Sequence, residues 1–226
     1  MVEPQHQVST RKLVDSDADQ LLLEDLLEAT KPPLPASRLH FLLTTPFRYP
    51  PLRYGSRFGA RTETGLWYGS VAQRTAFAET AYYRLLFLEG TAAPLGPLLS
   101  ELSAFRAAFR TDRGVDLAAL PFAPHRDRIS SPTSYRDSQA LGRAMREEGV
   151  GAFRFWSARD VQNGLNVGLF TPRAFASRKP SVPETWRCVA SREGVEIAKK
   201  DVFARASFSF SRGEFEVEGR LPAPAP

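Results

Sequence analysis

Apolar and polar positions recur with two different periods along this chain, and each change of period marks an element. From Ser16 to Ala29, SDADQLLLEDLLEA places leucines at 22, 23, 26 and 27, one stripe on a helix of 3.6 residues per turn. Ser16 is a cap residue, acids fill the first turn, and Lys31-Pro32-Pro33 ends the helix. The stripe predicts docking on the rest of the chain, an oligomer or partner contact being its other use. Leu39 to Thr45 reads as a strand that delivers Arg48. Ala76 to Leu88 (AFAETAYYRLLFL) reads as a helix of strong formers, with Ser70 and Gln73 spaced as a capping box before it. Its apolar side chains cover nearly the whole circumference, which predicts burial.

Further on, Gly90 to Pro97 reads as a loop and Leu102 to Thr111 as a strand. Ala118 to Pro132 is rich in proline and charge, a surface loop with His125-Arg126-Asp127-Arg128 exposed. Thr133 to Glu148 predicts a helix anchored by Tyr135, Leu141 and Met145 and stopped by Gly149. Phe153, Phe155 and Trp156 then lead into Ser157. Strands follow at 185–191, 195–203 and 205–211, the last alternating as SFSFS. Residues 1–15 are expected to be flexible and the LPAPAP of 221–226 to be a disordered tail. Helices mixed with short strands predict an α+β fold. The organisation expected is an extension with one amphipathic helix over 1–37 and a domain over 38–220.

Composition narrows the classes. With 42% hydrophobic and 24% charged residues, the chain is an ordinary globular one. Its net charge of +5 suits acidic partners: a nucleotide, a nucleic acid or an acidic protein surface. One cysteine, Cys188, excludes an intramolecular disulfide framework and fits a reducing cytoplasm. It lies in a strand-like stretch and reads as a small buried hydrophobe. His6, His40 and His125 lack metal-ligand spacing, so no metal site is expected. No signal peptide is legible and no apolar run reaches the ~18 residues of a membrane span.

The candidate chemistry gathers between Phe47 and Glu79. Arg48, Arg53, Arg57 and Arg61 are interleaved with Tyr49, Tyr54 and Phe58, and Trp67 and Tyr68 follow a turn-like TETG. Arginine forks match phosphate oxygens, and aromatic faces stack on heterocycles and attract cationic ones. Glu79 is the only acid between Ala76 and Leu88, and a carboxylate in a buried helix must be paired, hydrogen-bonded or functional. Taken singly, these residues also fit core tyrosines, solvated arginines and a structural ion pair. Ser157 has no Gly-x-Ser-x-Gly elbow and no adjacent histidine, so a hydrogen-bonding serine at a strand end is a better reading than a serine protease.

The order Arg48-Tyr49, Arg57, Tyr68, Glu79, the last three at intervals of eleven, resembles the N-terminal half of a RES domain. GVGAFRFWSARDVQNGLNVGLFTP, residues 149–172, resembles the C-terminal half, with Ser157, Arg159 and Asn166 at the family's Ser-x-Arg and asparagine positions. The RES family comprises toxins of bacterial toxin–antitoxin pairs. The resemblance implies an ADP-ribosyltransferase-like fold of two small packed β-sheets flanked by helices, with NAD as substrate. It implies cleavage of the nicotinamide–ribose bond, the acceptor being water, phosphate or a protein side chain, and growth arrest as the outcome. Glu79, Tyr68 and Arg48 would be catalytic. Arg48, Tyr49, Arg57, Tyr68, Ser157 and Asn166 would bind the dinucleotide: Arg48 and Arg57 on the pyrophosphate, Tyr68 and Tyr49 against nicotinamide, Ser157 on its ribose or amide, and Asn166 supporting the pocket. A cognate antitoxin with an Xre-type DNA-binding domain is the implied partner, compatible with a toxin homodimer, with no membrane and no direct nucleic-acid contact. The other reading is a non-catalytic basic module that binds nucleotide or nucleic acid through the same arginines. That reading leaves Glu79 without a role.

Overall fold

The computed structural model describes residues 13–31, 38–51, 53–201 and 205–225. Helix α1 spans Asp17–Thr30, α2 Phe41–Thr44, α3 Gln73–Glu89, α4 Arg126–Ile129 and α5 Arg136–Glu147. The strands are β1 Trp67–Ser70, β2 Leu98–Ala104, β3 Gly114–Asp116, β4 Ala152–Trp156, β5 Leu165–Leu169, β6 Glu184–Ala190, β7 Gly194–Lys199 and β8 Ser207–Ser211. They form two four-stranded sheets, ordered β1-β5-β4-β3 and β2-β6-β7-β8. All neighbours are antiparallel except β3 and β4. The fold is α+β, two small sheets flanked by helices.

Helix α3 lies between the sheets because it has two different faces. Phe77, Ala78, Ala81, Leu85 and Leu88 pack against Leu102, Trp186, Cys188, Val195, Ile197 and Phe210 of the second sheet. Each large apolar side chain buried there contributes about 1.5–3 kcal/mol. Tyr82 belongs to the same cluster, whereas Thr75 and Glu79, four residues apart, turn elsewhere; the helix also touches β1 and β5 of the first sheet. Burial is not all round as the composition suggested: Tyr83 is 56% and Phe87 58% exposed. The expected Ser70–Gln73 capping box does not form either. The helix begins at Gln73 with Ala72 as its cap residue, and Ser70 belongs to β1.

In the first sheet, strand period and register decide which side chains share a face. Tyr68 stands opposite Gly168, Ser70 opposite Asn166, and Asn166 opposite Phe155. Tyr68, Ser70, Asn166 and Phe155 therefore share one face, where Phe153 and Phe155 pack with Phe58, Leu117, Ile129 and Met145. The other face carries Ala152, Val167 and Leu169 and is covered by Phe47 and Ala174.

The predicted strand over Leu39 to Thr45 is instead α2, followed by a 3-10 turn over Thr45–Phe47. Local polar groups favour the turn: His40 Nδ1 accepts the Leu42 N–H, Thr45 Oγ1 donates to the Phe41 carbonyl, and Pro46 has no N–H for a ladder. The strand expected over Leu102 to Thr111 begins earlier, at Leu98, and ends at Ala104, the remainder making one isolated bridge from Phe109 to Phe175. The 118–132 loop contains a 3-10 turn and α4, and its Arg126 is half-buried. Helix α5, Gly149 as its stop with φ at +67°, and the three C-terminal strands follow the prediction, although 202–204 lie outside the described residues. Cys188 is buried in β6, and burial pushes its thiol pKa up.

Both ends of the chain depart from expectation. Ser16 caps α1 as predicted, accepting the Asp19 N–H, but the helix buries none of its residues. Leu22 is 59%, Leu26 56% and Leu27 43% exposed, with only Leu23 half-buried. The stripe is thus open rather than docked. Of the stretch expected to be flexible, 1–12 lie outside the described residues. The LPAPAP end, expected to be disordered, is seated over 221–225. Leu221 and Pro224 are buried, the Pro222 carbonyl accepts the Tyr82 hydroxyl, and the Ala225 carbonyl accepts the Tyr135 N–H. Prolines do not prevent docking when the carbonyls supply the contacts. Among the described residues, no helix is long and apolar enough to cross a membrane.

Candidate active site

Glu79 is the point on which the chain's polar side chains converge. Its Oε1 accepts the Ser157 hydroxyl at 2.7 Å and the Asn166 Nδ2 at 2.6 Å. Charge-assisted bonds of this length are about twice as strong as neutral ones, so the carboxylate is held in one orientation. Oε2 makes no hydrogen bond among the described residues.

Each donor is itself fixed. Ser157 directly follows β4, and its Oγ accepts the N–H groups of Arg159 at 3.0 Å and Asp160 at 3.1 Å, which commits its own proton to Glu79. Asn166 stands in β5 with its Oδ1 accepting the Ser70 hydroxyl at 2.6 Å, which orients its amide toward Glu79. A chain of hydrogen bonds thus runs Ser70, Asn166, Glu79, Ser157, from β1 through β5 to α3 and on to the end of β4. Ser70 was read in the sequence as a cap; the period-two pattern of WYGS, which puts it on the face of Tyr68, was the signal for its true place.

The loop bearing Ser157 is pinned to α3 by a buried carboxylate. Asp160 accepts the Thr75 hydroxyl at 2.8 Å and forms an ion pair with Arg74. Gly164 makes this approach feasible, because a Cβ there would run into Thr75 Oγ1 and Asp160 Oδ2. Arg159 is buried, with no carboxylate within ion-pair distance among the described residues. Its guanidinium lies 3.6 Å over the Tyr82 ring, and its Nη2 donates to the Pro132 carbonyl. Its Nη1 is buried without a hydrogen-bond partner. A desolvated cation on a ring face gains about 2 kcal/mol from the ring and raises the local positive potential one turn from Glu79.

Aromatic side chains and Arg57 form the remaining walls. Tyr68 exposes 36% of its surface, but its hydroxyl is tucked against the 56–58 turn, accepting the Phe58 N–H at 3.0 Å and lying 3.2 Å from Ser56 Oγ. Burial pushes its phenol up to about 12, so it is protonated at neutral pH and is not a base. Through these contacts Tyr68 holds the turn that carries Arg57. Arg57 donates to the Ser131 carbonyl at 2.7 Å and lies 5.1 Å over the Tyr135 ring. The Tyr135 hydroxyl is 3.5 Å from that of Tyr83, which is close enough to Glu79 to feel its charge. Tyr82, buried beneath, is pushed up to about 12 by burial, opposed by the charges of Arg159 and Arg57.

The structure therefore brings Glu79, Ser157 and Asn166 into direct contact and sets Tyr68 and Arg57 around them. Arg48 and Tyr49 are placed differently. Arg48 pairs at 2.8 Å with Glu28 of α1, and lies 5.8 Å from the centre of the Tyr49 ring. The ion pair ties Arg48 to the N-terminal helix, and a 3-10 turn at Thr45–Phe47 stands where a strand was expected. Tyr135 and Tyr83 were not singled out for the site from the sequence, and Arg159 was matched to the family's pattern without a role; Tyr135 was read only as a core anchor, and being buried it is one.

Two cavities flank this centre. One of about 470 Å³ is bounded by Ser157, Arg159, Arg126 and Ser130. The other, about 710 Å³, opens between the sheets beside β1 and the start of α3. Comparison with curated proteins gives no match. The model of one family, the RES domain, matches residues 33–191, a span that holds every residue of the Glu79 centre, and the chain belongs to that family of toxin–antitoxin toxins.

Proposed function

We propose that this chain is a toxin that consumes NAD by breaking the bond between nicotinamide and ribose at Glu79, on an ADP-ribosyltransferase-like scaffold. The observation that carries this reading is the carboxylate held by two donors on one oxygen, with the other oxygen left for a ligand. Loss of nicotinamide builds positive charge on the ribose, an oxocarbenium-like state that a fixed carboxylate stabilises. Nicotinamide leaves a pyridinium as a neutral ring and needs no proton, so one carboxylate suffices where a glycosidase needs two. That matches a site whose Tyr68 is too weak an acid to matter at neutral pH.

In this reading Glu79 Oε2 accepts a ribose hydroxyl and faces the developing cation. Ser157 and Asn166 act on the substrate through Glu79, by fixing its rotamer. Tyr68 offers its exposed ring to nicotinamide, and Arg57, with four N–H groups beyond the one it gives Ser131, serves the pyrophosphate. Water, phosphate or a protein side chain then takes the ADP-ribosyl group; in each case the same bond breaks. NAD loss or modification of an essential protein arrests growth, and a cognate antitoxin restrains it.

The test is mass spectrometry of the purified chain with NAD in buffer, in phosphate and in lysate, beside Glu79→Gln. Nicotinamide from the wild type alone supports the reading, and the companion product names the acceptor. A basic nucleic-acid module instead predicts salt-sensitive binding that Glu79→Gln leaves unchanged.

A further inference from the structure

Two surfaces of this chain are complementary to each other. The first is α1. Leu22, Leu26 and Leu27 are open to solvent at successive turns, and the segment 15–31 carries Asp15, Asp17, Asp19, Glu24, Asp25 and Glu28 against Lys31 alone. The chain as a whole is at +5, so the body beneath this acidic helix is more basic than the total. The second is the 710 Å³ cleft beside β1. Val71, Phe109 and Val182 line it while remaining 63%, 44% and 87% exposed, and Phe105 is half-buried in its wall. Arg106 and Arg154 stand at its margin. Arg154 already has a carboxylate partner in Asp116, and the one acid of the lining, Glu184, is answered by Lys199 at 3.2 Å.

We propose that α1 of one copy seats its leucine stripe in this cleft of a second copy, forming a reciprocal dimer. An apolar stripe with acidic flanks fits an apolar groove with arginines at its rim, the usual chemistry of a helix in a groove. A helix of 14 residues is about 21 Å long, enough to run the leucines across such a cleft. A two-fold exchange seats two helices at once, each copy giving a stripe and receiving one. Within one copy the helix cannot serve both purposes as it stands, since its stripe faces solvent and its Glu28 is held by Arg48. Helix α1 lies outside the residues matched to the family, so this contact belongs to this chain's own extension.

Sedimentation equilibrium of the full, partner-free chain tests this. The wild type is expected at twice its 25.1 kDa mass, with the dimer weakening as salt rises. Leu22→Ser/Leu26→Ser and, separately, Val182→Asp should each weaken the dimer by roughly tenfold or more. Both alter exposed side chains, so the fold survives, as a melt of each would show. Mixing the two variants should restore a dimer, because the cleft of one and the stripe of the other remain intact. A monomeric wild type at ~100 µM, well above a micromolar Kd, would overturn the proposal and leave the stripe to its own chain or to another protein. A Val182→Asp dimer as tight as wild type would overturn it too, by showing stripe paired with stripe. The readout is mass, so either failure leaves the NAD-cleaving reading where it stands.

Discussion

Replacing Ser157 by alanine separates two roles for this serine. The hydroxyl donates to Glu79 Oε1 at 2.7 Å and accepts the N–H groups of Arg159 and Asp160. Its removal deletes one hydrogen bond to a carboxylate, worth about 1.5–3 kcal/mol, and leaves two N–H groups without their acceptor in a buried loop. Asn166 still holds the same oxygen, so Glu79 is loosened rather than released. If Ser157 works by fixing Glu79, the loss falls on the transition state: kcat for nicotinamide release should drop roughly 10- to 100-fold, about 1.4–2.7 kcal/mol, with KM nearly unchanged. The melt should fall by a few degrees, since the orphaned N–H groups cost about 1–3 kcal/mol. Asn166→Ala should do the same to kcat, and the double variant should lose more than the sum of the two, because each donor now backs up the other on one oxygen. Steady-state kinetics with nicotinamide quantified by chromatography reads all three. A Ser157→Ala enzyme with normal kcat and a KM raised tenfold would refute this reasoning and place the hydroxyl on the substrate.

Other outcomes follow from the same geometry. Gly164→Ala should destabilise the fold by about 2–4 kcal/mol in a denaturant melt, because its Cβ would meet Thr75 and Asp160; a neutral effect would contradict the close approach. Arg57→Gln should cost NAD turnover at least about tenfold more than Arg48→Gln, since Arg57 adjoins Tyr68 and Tyr135 whereas Arg48 pairs with Glu28. The raised Tyr82 phenol contributes stability that is full below the unfolded value near 10 and is lost as pH rises toward about 12, where the folded form at last ionises. Melts between pH 8 and 11 should therefore fall more steeply for wild type than for Tyr82→Phe, by about 1.4 kcal/mol at pH 11.

How much of this was legible in the sequence depended on whether a local rule and the tertiary contact agreed. Helix α5 has a stripe, a stop at Gly149 and nothing competing, and it formed as read. Glu79 was visible as an acid in an apolar helix, and its partners Ser157 and Asn166 were visible through the family pattern. No spacing in the sequence shows that both donors meet one oxygen; that follows from the register of β5 on β4 and β1. The strand expected before Arg48 was misread because threonine hydroxyls and His40 turn an apolar stretch of strand-like composition into α2. Capping chemistry misled at Ser70, since a serine three residues before a glutamine also suits a strand end. The proline-rich end read as disordered because prolines carry no N–H, yet their carbonyls and those of the alanines tie it to Tyr82 and Tyr135. The leucine stripe of α1 was read correctly as apolar, but a stripe does not say which molecule covers it.

The most direct measurement of the central claim is nicotinamide released from NAD by the purified, antitoxin-free chain and by Glu79→Gln, with circular dichroism to show that both are folded. Free nicotinamide from the wild type and none above background from the variant is the predicted result. Equal release from both, or none from a folded wild type in buffer, phosphate or lysate, would contradict the account.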